Sequence, residues 1–156
     1  MTKHRVAFGG DHGGVLIKDA LITHLKSDGH DVIDCGTVGP DSVDYPDFAY
    51  RVAAVIHEGG ADRGLVVCGT GIGMSIAINR YPWVRAALCH DVTSARLSRQ
   101  HNDANVLALG ARITGLEVAK DCLKAFLTTD FSEGRHSRRV QKLGSPPELD
   151  GRFDAA

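Results

Sequence analysis

Short apolar runs alternate with longer stretches of helical periodicity along this chain. His4–Gly9, Asp31–Gly36, Gly64–Cys68, Val84–His90 and Asn105–Gly110 read as buried strands. Between the first two, Val15, Leu16, Leu21, Ile22 and Leu25 form one helical stripe, ended by Gly29 at a C-terminal cap position. A second helix is predicted from Pro46, carrying Phe48, Val52, Val55 and Ile56 as far as Gly59-Gly60. A third begins just after the Gly69–Gly73 loop and is cut short by Pro82, and a fourth runs from about Asp91 to Gln100. Thr114-Gly-Leu-Glu117 has the form of a capping box for a fifth helix with Val118, Cys122, Leu123, Phe126 and Leu127. A basic helix over about Ser132–Leu143 follows, and residues 144–156 read as an irregular tail suited to packing on a partner.

Strands separated by helices imply a parallel sheet, and right-handed crossovers place helices on both of its faces. The predicted fold is therefore a three-layer α/β/α, Rossmann-like, doubly wound domain spanning residues 1–156, with a five-stranded parallel sheet and a C-terminal helix and tail. At 156 residues such a domain buries about 70% of the surface its unfolded chain exposes. Ligands belong at the carboxyl ends of the strands. A flavodoxin-like order 2-1-3-4-5 would set Gly10-Asp-His-Gly-Gly14 beside Cys68-Gly-Thr-Gly-Ile-Gly73 at the switch point.

Composition narrows the partners. The chain is 43% hydrophobic and 24% charged with a net charge of −1, which argues against disorder and against a generic electrostatic grip on nucleic acid or membrane. Any anion site must be local. The first residues turn into a glycine cluster before a signal-type apolar region forms, and no run reaches membrane-spanning length, so a soluble, unexported, cytoplasmic chain is expected. Cys35, Cys68, Cys89 and Cys122 lie far apart without a Cys-x-x-Cys pair, which leaves free thiols, no metal site and no dithiol redox motif.

The chemistry concentrates in a few loops. From Gly69 the third glycine of a dinucleotide fingerprint falls on Met74, from Gly71 it falls on Ile76, and no Gly-Lys-Ser/Thr follows. The loop Gly69-Thr70-Gly71-Ile72-Gly73 is thus either a nest for a small anion or oxyanion, with Thr70 adding a hydroxyl, or a structural turn. Cys68 stands where a buried strand meets this loop. It reads either as a small buried hydrophobe, as Cys35, Cys89 and Cys122 do, or as a base whose thiolate is favoured by glycine backbone and a helix N-terminus. Asp11-His12 is either a helix cap beside an exposed histidine or a pair that contacts a polyol and its ring oxygen or phosphate.

Arg99-Gln-His-Asn-Asp103 precedes the fifth strand. It reads as a solvated helix end, or as a place where His101 shuttles a proton and Asn102 holds a hydroxyl. The tail helix carries Arg135, His136, Arg138, Arg139 and Lys142 against Glu133. This is either a solvated stripe or a phosphate grip in which Arg135 and Arg139 are joined by Arg112.

Taken together and in this order, Gly10-Asp-His-x-Gly14, Asp44-Tyr-Pro-Asp-Phe-Ala49, Cys68-Gly-Thr-Gly-Ile-Gly73, Ser98-Arg-Gln-His-Asn-Asp-x-Asn105, Gly110-Ala-Arg112 and Gly134-Arg-His-x-Arg-Arg139 resemble the ribose-5-phosphate isomerase B family. That family includes allose- and galactose-6-phosphate isomerases, and the likeness covers residues 4 to about 143. It implies a metal-free, cofactor-free aldose-ketose isomerase acting on a sugar phosphate as a homodimer or homotetramer, its site between subunits. By the same likeness His101 helps open the furanose, Cys68 takes the C2 proton, and the resulting cis-enediolate is reprotonated at C1. Thr70 and the backbone of Gly69, Gly71, Ile72 and Gly73 hold the oxyanion. Asp11 and His12 contact the sugar, Asn102 binds a hydroxyl, and Arg112, Arg135 and Arg139 bind the phosphate with His136 assisting. Some relatives place a glutamate base directly after the glycine loop. Met74 stands there in this chain, which puts it with the cysteine type.

Overall fold

A computed structural model describes residues 2–148. It contains five strands, β1 (Arg5–Gly10), β2 (Asp31–Asp34), β3 (Arg63–Cys68), β4 (Ala86–Leu88) and β5 (Val106–Gly110), and six helices. The helices are α1 (Val15–Ser27), α2 (Tyr45–His57), α3 (Ile72–Ile78), α4 (Val92–Asn102), α5 (Leu116–Thr128) and α6 (Arg135–Leu143). All strand pairs are parallel.

Alternation along the central strands sorts their side chains between two cores. Val6 and Phe8 of β1, Leu65 and Val67 of β3, and Leu107 and Leu109 of β5 pack with Leu21 and Leu25 of α1 and with Leu123 and Phe126 of α5. Ala7, Val66, Cys68, Val106 and Ala108 face the other way, onto Phe48 and Val52 of α2 and Met74 and Ile78 of α3. The expected three layers follow from this period of two.

The strand order is β2-β1-β3-β5-β4, not the expected 2-1-3-4-5. β4 is only three residues long, shorter than the Val84–His90 run predicted for it, and it takes the edge, while the fully buried β5 fills the place beside β3. A strand with every residue buried belongs inside the sheet. This exchange matters for the site, because it brings the segment after β5 against the segment after β3.

Several local expectations also change. The capping box does not form: Gly115 is the N-cap of α5, no side chain caps it, and the buried Thr114 Oγ1 has no hydrogen-bond partner. Thr114 is held instead in a turn whose N–H donates to Gly110 C=O at 2.8 Å. Leu16, placed in the buried stripe of α1, is 82% exposed, and Ile17 and Lys18 take the inward positions. α3 starts within the glycine loop at Ile72, α4 runs on to Asn102, and α6 starts at Arg135. Residues 144–148 carry no helix or strand, and the rest of the predicted tail lies outside the described residues.

Candidate active site

Cys68 is the last residue of β3 and its side chain is buried on the α2/α3 face. Its Sγ accepts the N–H of Gly71 at 3.1 Å, a contact that orients the sulfur at the rim of the sheet. Gly71 has φ +79°, and a Cβ there would stand 2.5 Å from Leu88 Cδ1 and 2.8 Å from the Leu109 carbonyl carbon. Handedness and close packing therefore both require glycine at this corner. Two of the loop's amides are engaged inside it, Gly71 to the sulfur and Ile72 to Thr70 Oγ1 at 3.3 Å. That hydroxyl is exposed, and with its oxygen accepting it has its O–H to offer outward. Gly73, in the first turn of α3, has an N–H with no intrahelical acceptor.

The loop after β1 meets this one directly: a Cβ on Gly13 would stand 2.9 Å from the Gly69 nitrogen. Asp11 is buried, and its Oδ1 accepts the N–H groups of Gly13 at 2.9 Å and Gly14 at 3.1 Å. It thus shapes its own turn, and Gly14 is the N-cap of α1. His12 Nδ1 accepts the Val43 N–H at 3.2 Å, which leaves the proton of the neutral ring on Nε2, facing away from that contact. On the other side, Arg112 follows β5. Its N–H donates to Gly69 C=O at 2.9 Å, and its Cδ and Nε lie 3.5 Å from where a Gly69 Cβ would be. The predicted residues Asp11, His12, Cys68, Thr70 and Arg112 are therefore neighbours at the carboxyl end of the sheet.

His101, Asn102, Arg135, His136 and Arg139 form a second group at the opposite end. Gly64 donates its N–H to Asn105 C=O at 2.8 Å, and Gly64 pairs with Val106 as Cys68 pairs with Gly110. Four strand steps thus separate the level of Asn105 from that of Cys68, about 13 Å, and Asn102 precedes Asn105. The rings of His101 and His136 stack with centroids 4.5 Å apart and planes 9° from parallel. Partial burial, the neighbouring His101 and then Arg135 and Arg139 hold His136 below the ordinary histidine range. Arg135 and Arg139 are exposed. A cleft of about 380 Å³ borders Asn102 and is lined by Arg85, Ala86 and Leu143, but it contains none of the carboxyl-end residues.

Sequence reasoning assigned no role to Tyr45, although its ring lies where a Gly73 Cβ would be, 2.6 Å from that point. A tyrosine directly before Pro46, the predicted start of the second helix, was the available signal. Met74, at the position of the alternative glutamate base, is fully buried in the core. Among the described residues, no three His, Cys, Asp or Glu side chains come together as a metal-binding set, and no helix is long and apolar enough to cross a membrane.

Comparison with known proteins gives the family. The ribose/galactose isomerase family model covers residues 6–143. The chain belongs to the ribose/galactose isomerase family. Ribose-5-phosphate isomerase B of Escherichia coli is 45% identical over 139 residues, 89% of this chain and 93% of that one. D-erythrulose-4-phosphate isomerase of Pectobacterium atrosepticum is 40% identical over 141 residues, 89% and 92% of the two chains. The solved ribose-5-phosphate isomerase B of Clostridium thermocellum superposes with a TM-score of 0.88 at 50% identity, covering 90% of this chain and 95% of that one. This family member is accordingly a sugar-phosphate isomerase.

Proposed function

We propose that this ribose/galactose isomerase interconverts D-ribose 5-phosphate and D-ribulose 5-phosphate. The observation that carries the reading is the setting of Cys68, a sulfur at the end of β3 oriented by Gly71 N–H, with the exposed Thr70 hydroxyl and Arg112 beside it. Cys68 removes the C2 proton of the open-chain aldose and the electron pair passes to the C1 carbonyl, giving a cis-enediolate. The proton is then delivered to C1 while C2 becomes the carbonyl and its hydroxyl proton passes to O1. The Thr70 O–H and the free Gly73 N–H hold the developing oxyanion, a preorganised contribution of about 3 kcal/mol per donor. The E. coli relative's name supports the five-carbon sugar, and the Pectobacterium relative's name makes a four-carbon phosphate the second reading. Comparing kcat/KM across C4, C5 and C6 aldose phosphates tests the choice. Ribose 5-phosphate should rank first, and a higher value for either of the others would replace it.

The complete site needs a second copy of the chain. His101 and Asn102 cannot reach a sugar held at Cys68 of the same chain, because the length of β5 lies between them. Leu16, Val38, Ile72, Ile76 and Ile113 are each more than half exposed around the carboxyl-end group, an apolar rim of the kind a partner covers. Opening of the furanose by His101, and phosphate binding by Arg135 and Arg139, are thus supplied to Cys68 by the other subunit. Mixing Cys68→Ala with His101→Ala, each strongly impaired alone, under subunit exchange should raise activity well above that of either, since one of the two sites in each mixed dimer is intact. No restoration would mean that each site is built from one chain. A reducing cytoplasm suits the four free cysteines.

A further inference from the structure

The helix that presents His101 and Asn102 ends on an unusual residue. Asp103, the C-cap of α4, has φ +44° and ψ +42°, the left-handed region that glycine adopts at this position without penalty. Among the described residues only Glu133 is a second non-glycine with positive φ. Asp103 is retained here with a side chain that two arginines grip from opposite sides. Its Oδ1 accepts from Arg99 Nη1 at 2.8 Å and its Oδ2 accepts from Arg85 Nη2 at 2.8 Å.

The grip extends to the backbone. Arg85 Nε donates to Asp103 C=O at 2.9 Å and to Asn102 C=O at 3.2 Å. Arg99, 4% exposed, also donates through Nη1 to Ala104 C=O at 2.5 Å and through Nε to Thr129 C=O at 3.3 Å. One residue further on, Asn105 Oδ1 accepts Arg85 N–H at 2.8 Å and its Nδ2 donates to Trp83 C=O at 2.8 Å. Carbonyls that a helix end leaves without partners are thus bound by guanidinium groups. The start of β4, the end of α4, the end of α5 and the start of β5 are tied at one point. The side chains of His101 and Asn102 take no part in this knot, and His101 touches His136 instead.

We propose that Asp103 is a positioning residue for the isomerisation: clamped between Arg85 and Arg99, its carboxylate sets the direction in which the end of α4 delivers His101 and Asn102 to the sugar. This rests on the assignment of His101 to the reaction made above. Without the clamp the last turn of α4 keeps its helix but is free to wander by the fraction of an ångström that a proton-transfer group cannot tolerate.

Asp103→Gly separates positioning from folding, because glycine is the residue that its backbone conformation favours. The variant should keep the parental assembly mass and a thermal midpoint within a few degrees. Its kcat should fall about 10- to 100-fold while KM moves less than about threefold, the scale seen when a group that orients a functional side chain is lost. Asp103→Asn, which keeps the shape but turns an amide N–H toward one arginine, should fall in the same direction. The deciding measurement is the cycle with His101→Ala. In that background Asp103→Gly should cause less than about a twofold further loss. A full 10- to 100-fold loss there, or parental kcat in both Asp103 variants, would overturn the proposal. Parental activity of His101→Ala by itself would instead remove His101 from the reaction, and the inference with it.

Discussion

Gly110→Ala tests whether the contact between β5 and the Cys68 loop sets the site's geometry. A Cβ on Gly110 would stand 2.5 Å from Thr70 O, 2.6 Å from Thr70 C and 2.9 Å from Thr70 Cα. Ordinary contact begins near 3.4 Å, so the two segments must part by roughly 1 Å. All three atoms are backbone, so no side chain can swing aside. β5 cannot retreat easily, because Ala111 N–H donates to Cys68 C=O at 2.8 Å and Arg112 N–H to Gly69 C=O at 2.9 Å. Overpacking of this kind destabilises by about 1–3 kcal/mol, which lowers the midpoint of a domain this size by about 2–4 °C per kcal/mol. The larger effect is on catalysis, since moving Thr70 by roughly 1 Å is worth about 10²-fold in kcat. Thermal denaturation and steady-state isomerase kinetics read both quantities. Gly39→Ala is the control, because nothing lies within 4 Å of its Cβ position and no positive φ is required there. Parental kcat in Gly110→Ala would refute the argument.

Three further outcomes follow from other parts of the molecule. Cys68→Ala should bind ribose 5-phosphate with parental affinity by calorimetry while losing at least about 10²-fold in kcat, and unchanged turnover would remove Cys68 from the mechanism. Replacing Arg135 and Arg139 together should raise KM at least about tenfold for the phosphorylated sugar and little for free ribose; equal effects on both would make α6 ordinary surface. His30 is buried, its Nδ1 accepts His4 N–H at 3.1 Å, and burial followed by the charge on His4 holds it below the ordinary histidine range. The unfolded chain therefore takes up this proton at a higher pH than the folded one, so stability should fall as pH drops below about 6.5. Denaturant midpoints at several pH values should show that slope in the parent and a flatter one in His30→Asn.

Which parts of this were legible in the sequence depends on how local the cause is. The strands and helices were read nearly in place because the continuous apolar runs of β1, β3 and β5, and helical stripes such as Phe48 and Val52, are written residue by residue. The capping box at Thr114 failed because a turn closing on Gly110 claimed that residue first, a contact between backbone atoms that no side-chain pattern announces. The glycines of the Cys68 loop read as donors to an anion. In the folded chain Gly71 is also required by Leu88 and Leu109, and Gly110 by Thr70.

By itself the sequence determined the layered architecture, the thiol at the end of the third strand, the loop residues Asp11, His12 and Arg112, and the motifs that mark the family. It did so because side-chain type and period are local properties. Only the tertiary structure decided that β5 rather than β4 lies beside β3, since strand order depends on which run is buried on all sides. The same order placed Arg112 beside Cys68 and left His101, Asn102, Arg135 and Arg139 at the far end of the sheet. A parallel strand enters at one end and leaves at the other, so within one chain the residues before β5 and those after it stand at opposite ends of the sheet.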